Sequence, residues 1–157
     1  MSLDKNQLKD LIEKVLNLLG MHSDAAVNLL LGTAAQESHL GTYIKQIGSG
    51  PALGVFQMEP DTEKDIWNNY IYFRPEIENL VAEIAHVAEP NSLHLHGNLV
   101  YQIVMARIHY RRKSNPFPSA NDELGLAAYW KNHYNTPKGK GTVEEFVHNY
   151  RKYVKEI

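Results

Sequence analysis

The chain has no cysteine. A disulfide framework, a thiolate zinc site and a cysteine nucleophile are therefore excluded. Nor does charge of one sign dominate. There are 16 Lys and Arg against 18 Asp and Glu, a formal net charge of -2. Non-specific nucleic-acid binding needs clustered cations against phosphate, and this balance offers it no support. The densest basic cluster, Arg111 to Lys113, falls near an expected helix end, where cations complement the helix dipole. No apolar run is long enough to span a membrane, and no signal peptide is evident. A Gly-rich phosphate loop and a Ser-His-Asp signature are also missing. No cofactor is implied.

What is present reads as a single domain over residues 1–157, mainly helical. Leu8, Leu11, Ile12, Val15 and Leu19 recur at helical spacing, with Asp4 and Gln7 as a capping pair and Gly20 as the stop. A second helix is expected from Ser23 to about Leu40. Its middle, AAVNLLLGTAA, is apolar nearly all round, which places it inside a core. TYIKQI and ALGVFQM then read as strands around the turn-forming GSGP, so a small β hairpin is expected. Helices follow after Pro60, through RPEIENLVAEIAHVA, through NLVYQIVMARIHYRRK, and at DELGLAAYWKNHY and TVEEFVHNYRKYV. SNPFPSAN interrupts them with two prolines. The expected class is α+β, mainly α.

TAAQESHLG, residues 33–41, raises the chemical question. At 3.6 residues per turn Ala26, Leu30, Thr33 and Glu37 share one face. Glu37 thus points where the apolar side chains point, at a helix C-terminus. Desolvation and the negative end of the helix dipole both favour its neutral acid. A carboxyl that keeps its proton near neutral pH is a general acid in waiting. The plainer alternative is a Glu paired with a cation or reaching water. Its neighbours argue against that: Ser38 adds a hydroxyl, Gly41 a sharp turn, Gly54 a close backbone approach and Gln57 an amide.

ESHLG, then GVFQMEP, then LAAYW resembles the soluble lytic transglycosylases and their goose-type lysozyme relatives over roughly residues 30–135. The resemblance implies a lysozyme-like fold with its hairpin after the catalytic helix, and cleavage of peptidoglycan glycan strands. It implies that Glu37 is the general acid and Ser38 a substrate-contacting serine. Gln57 would line the glycan groove, with Gly54, Val55 and Phe56 standing where Gly, Leu and Met usually stand. Tyr129 would lean toward the catalytic Glu. Trp130 replaces the usual Asn, and His39 is not explained by the pattern. Tyr134 and Trp130 are the aromatic residues best placed to line the groove.

Such an enzyme breaks the β-1,4 bond between N-acetylmuramic acid and N-acetylglucosamine. A transglycosylase needs one carboxylate and leaves 1,6-anhydro ends. A hydrolase needs a second, for which Glu59, Asp61 and Glu63 are the candidates. Asp61 and Glu63 also fit a capping role at a helix start. A monomer acting on the cell wall is expected, from a bacteriophage or as a secreted or periplasmic bacterial enzyme. Two rivals stand beside it. One is a non-catalytic glycan-binding or virion module. The other is a helical interaction domain, whose mark would be a missing hairpin. His94 and His96 in LHLHG, read as one side of a strand, suggest metal only weakly, because no third ligand is in sight.

Overall fold

The structure is a computed structural model and describes residues 1–135 and 139–156. Eight α-helices follow one another: α1 Lys5–Leu19, α2 Asp24–Ser38, α3 Pro60–Asn69, α4 Pro75–Ala85, α5 Ser92–Gly97, α6 Leu99–Arg111, α7 Glu123–Trp130 and α8 Val143–Tyr150. A 3₁₀ turn, Ile71–Phe73, separates α3 from α4. Single π turns, Lys131–Asn135 and Arg151–Lys155, extend α7 and α8.

Local sequence sets most of these ends. Asp4 caps α1 by accepting from the Asn6 and Gln7 amides, and Gly20 closes it at φ 70°. Ser23 caps α2 through the Ala26 amide, and Asn98 caps α6 through that of Tyr101. Thr142 caps α8 through Glu145. Each cap satisfies amides that the first helical turn leaves without partners.

The two helices that are apolar nearly all round, α2 and α6, form the centre. Helices α1, α7 and α8 pack on α2, while α1, α3, α4 and α5 pack on α6. Helix α8 comes close because of Gly32. A Cβ there would lie 2.3 Å from Phe146 Cζ. Leu30, Leu31, Ala34, Ile103, Met105 and Ile108 are fully enclosed between these layers.

The expected α+β class with a β hairpin is overturned. Among the described residues the elements are all helical, and residues 39–59 contain only isolated bridges, Lys45 with Leu53 and Leu53 with Met58. The lysozyme-like fold expected with that hairpin is left unsupported. The physical cause lies in the backbone of the segment. His39, Leu40, Gly41, Gly48, Gly54 and Gln57 all have positive φ. Such residues bend the chain out of any pleat. Pro51 also lacks an amide hydrogen for a ladder. Val55, Phe56 and Met58 bury their side chains all the same, by turning inward rather than by alternating across a sheet.

Two smaller expectations change as well. Helix α2 stops at Ser38 rather than near Leu40, since His39 and Leu40 are both left-handed, at φ 50° and 58°. LHLHG is not a strand but part of α5. His94 and His96, two apart on a helix, therefore point to nearly opposite sides.

Candidate active site

The loop between α2 and α3 is fastened to both central helices, and the fastening creates a cleft. Ser38 Oγ donates to the Val55 carbonyl at 2.6 Å and to that of Ala34 at 3.1 Å, and it accepts from the Gly41 amide. From α6, Gln102 Oε1 accepts the Val55 amide at 2.8 Å, and its Nε2 donates to the His96 carbonyl. Gly54 fits between them at φ 80°. A Cβ there would lie 2.6 Å from the Leu95 carbonyl oxygen. On the far side Tyr134 donates its hydroxyl to the Phe56 carbonyl at 2.6 Å. The result is a cavity of about 700 Å³ whose wall includes Glu37, His39, Tyr43, Gln57, Glu59, His109 and Tyr134.

Glu37 lies in this wall, half-buried. Trp130 Nε1 donates to its Oε2 at 2.9 Å. Among the described residues no salt bridge reaches it. Burial raises its pKa from the ordinary 4.5 to about 7, opposed by the Trp130 hydrogen bond, which favours the anion. Burial therefore outweighs the single donor, and the group holds a proton near neutral pH.

Two other groups of the wall, His109 and Tyr134, are neutral at pH 7. His109, also in the wall, is pushed down to about 3 by burial first and then by Arg112 and Lys113. Its Nδ1 lies 3.0 Å from Arg112 Nη2, and its ring meets that of Tyr134 edge-on at 5.0 Å. Burial, and then the proximity of Glu37, raise the Tyr134 hydroxyl well above 10. Burial raises Tyr110 as well, partly opposed by its hydrogen bond with Thr33, whose Oγ1 lies 2.8 Å from its hydroxyl. The carboxyl thus faces an open cleft beside His109 and Tyr134. Glu59 and Lys140 also line the wall, but neither forms an ion pair with it among the described residues, which suits proton donation more than salt-bridge formation.

The residues expected at the site divide. Glu37, Gln57, Tyr134 and Trp130 come together. Gln57 borders the cleft and donates from Nε2 to the Gly54 carbonyl at 2.9 Å. Trp130 is fully buried, so it offers its indole N–H to Glu37 and no face to a glycan. Ser38 is 0% exposed and its hydroxyl is engaged within the loop. Phe56 is in the core, and only its carbonyl serves the site, by receiving Tyr134. Tyr129 does not lean toward Glu37. Its hydroxyl donates to the Asn115 carbonyl at 2.8 Å, and both residues line a different pocket. Adjacent helical residues diverge by about 100°, so only one of Tyr129 and Trp130 can face α2. The one that does is Trp130, with Tyr134 about one turn further on.

Of the three carboxylates considered for a second catalytic role, Glu59 is in the cleft wall and exposed. Asp61 is exposed in the first turn of α3. Glu63 is 1% exposed and accepts from the Asn91 amide and the Tyr101 hydroxyl, away from the cleft. Sequence reading missed Gln102, Tyr110 and His109, which sit in an apolar helix and gave no signal beyond core. His39, unexplained by the motif, borders the cleft and stacks on Tyr153 at 5.1 Å. Among the described residues no three His, Cys, Asp or Glu side chains group as a metal site, and no helix is long and apolar enough to cross a membrane. Compared with protein families, curated proteins and solved structures, the chain finds no match.

Proposed function

We propose that the protein cleaves a glycan in the Glu37 cleft, with peptidoglycan as substrate and lytic transglycosylation as the reaction. The observation that carries this reading is a half-buried carboxyl that holds its proton up to about pH 7 in the wall of an open cleft, without a cationic partner among the described residues. Glu37 protonates the bridging oxygen of the MurNAc-β-1,4-GlcNAc bond. The bond breaks, the leaving sugar departs as an alcohol, and the muramyl ring takes on oxocarbenium character. Its own 6-hydroxyl closes on the anomeric carbon and gives its proton to the Glu37 carboxylate. Glu37 ends protonated and the product is a 1,6-anhydro sugar. Attack within one molecule has a large proximity advantage, so a single carboxylate suffices. Trp130 steadies the anion formed midway, and Gln57 and Tyr43 offer hydrogen-bonding groups in the same cleft.

Specific observations favour two other readings. Glu59 in the same wall would suit hydrolysis, as a second carboxylate to direct water. The missing hairpin favours a helical interaction module in which Glu37 has no catalytic part. Digestion of purified peptidoglycan, with products read by mass spectrometry, separates all three. Anhydro ends from wild type, lost by about 10³-fold in Glu37→Gln, support transglycosylation. Reducing ends that vanish in Glu59→Gln mark a hydrolase. Intact peptidoglycan, or equal digestion by wild type and Glu37→Gln, overturns the enzymatic reading.

A further inference from the structure

A second pocket lies on the other side of α6. Positions 107 and 111 are one helical turn apart and share a face, while His109 points the opposite way, into the Glu37 cleft. The pocket holds about 290 Å³ and is lined by Arg107, Arg111, Lys113, Asn115, Phe117 and Tyr129 among others, with no carboxylate in its wall. Arg111 and Lys113 are exposed at its rim. Neither makes a salt bridge among the described residues.

Arg107 is the unusual member. It is only 5% exposed. Its Nε donates to the Met21 carbonyl at 3.0 Å, and its guanidinium carbon lies 5.0 Å from the centroid of the Phe117 ring. Its Nη1 is buried and has no hydrogen-bond partner among the described residues. A buried guanidinium without a counter-charge is costly, and a lone unsatisfied donor adds to that cost. Burial, and then the neighbouring Arg111, lower its pKa to about 10, so it stays charged at neutral pH. The Tyr129–Asn115 hydrogen bond holds the loop wall against α7. Three cations thus converge on one small, partly apolar pocket, and the innermost has a donor to spare.

We propose that this pocket binds an oxyanion, a phosphate or carboxylate group, received by Arg107 from within and by Arg111 and Lys113 at the rim. A guanidinium matches the paired oxygens of either group, and charge-assisted bonds from Arg107 and the rim supply the missing counter-charge. The site is separate from Glu37 and does not depend on the enzymatic reading.

Thermal shift and amide NMR titration of the intact chain test it, with sodium phosphate and sodium acetate against sodium chloride at matched ionic strength. Phosphate, acetate or both should raise the melting temperature beyond chloride and shift the resonances of residues 107–117. The arm that responds identifies which group the pocket prefers. Arg111→Gln with Lys113→Gln alters only exposed side chains, so the fold should persist. That variant should weaken binding about tenfold, the loss expected for charge-assisted bonds. Arg107→Lys should weaken it further while its amide spectrum stays folded. No effect beyond chloride, or equal affinity in wild type and the rim variant, overturns the proposal.

Discussion

Glu37 and Glu63 both leave bulk water, one at the end of α2 and the other in the first turn of α3, yet their surroundings are built differently. Glu63 is enclosed. It takes the Asn91 amide at 2.9 Å and the Tyr101 hydroxyl, and Tyr101 in turn accepts from Trp67 Nε1 at 2.8 Å. That chain of donors ties α3, α6 and the segment before α5 together. Glu37 has one donor, Trp130, and an opening. The first arrangement is a structural joint, in which every partner is internal. The second leaves hydrogen-bonding capacity for something that is not part of the protein. Burial alone does not distinguish the two; the number of internal donors and the open side do.

The contrast can be broken most forcefully at Glu63. Glu63→Ala orphans a buried amide and a buried hydroxyl, and chemical denaturation should record a loss of about 4 kcal/mol. A loss under about 1 kcal/mol would show that the joint carries little.

Glu37→Gln should act in the opposite direction. Between pH 4.5 and about 7 the folded protein holds on Glu37 a proton that the unfolded chain has released, so the Glu37 contribution to stability falls as pH rises through that window. The gap amounts to about 3 kcal/mol, and Gln removes it. The variant should therefore be the more stable protein at pH 8 and lose that advantage by pH 4. His109 has the reverse slope. Its depressed pKa means that stability present above pH 6.5 declines as pH falls toward about 3. In Glu37→Gln that slope, to which the lowered His39 and His133 add in the same direction, should no longer be opposed by Glu37, with urea midpoints rising from pH 4 to 6.5. Identical midpoints in wild type and variant at pH 8 would remove burial as the source of the Glu37 shift.

A third test moves from the carboxyl to its frame. Gly54→Ala puts a Cβ 2.6 Å from the Leu95 carbonyl at a positive φ. A stability loss of about 2 kcal/mol is expected, and the proposed glycan binding should weaken as the Val55–Gln102 bond is displaced. Unchanged melting and binding would mean that the loop adapts. The smallest effect should come from Trp130→Phe. It keeps most of the packing and removes the one donor to Glu37 among the described residues, at about 1 kcal/mol in stability. Without that donor the carboxyl pKa moves further upward, so the alkaline limb of any pH–activity profile should shift to higher pH. A downward shift would contradict the assigned role of the indole.

The helices were legible because their signals are short in range. Asp4, Ser23 and Thr142 cap the helices they precede, and the unbroken apolar faces of α2 and α6 required interior positions. Glu37 was legible for the same reason, since helical spacing alone points it inward. The hairpin was misread because β-branched and aromatic residues in TYIKQI and ALGVFQM answer to burial as readily as to pleating. Here the bends at Gly54 and Gln57 bury Val55 and Phe56 in a loop, while Ile44 and Ile47 of the first segment stay exposed. Tyr129 was misplaced because motif order says nothing about which of two adjacent residues faces inward. Gln102, Tyr110 and His109 were invisible because each acts across more than 40 positions of chain, on Val55, on Thr33 and on Asp65 through Arg112.

The sequence by itself determined the longer helices, the capping residues and the placement of one carboxyl on an apolar helix face, because neighbours within a turn decide these things. Only the tertiary structure decided that Trp130 rather than Tyr129 meets that carboxyl, that Ser38 fastens a loop, and that Arg107 is left with an unpaired donor beside a pocket. Those outcomes depend on distances between segments far apart in the chain, and chain order does not encode such distances until the core has closed.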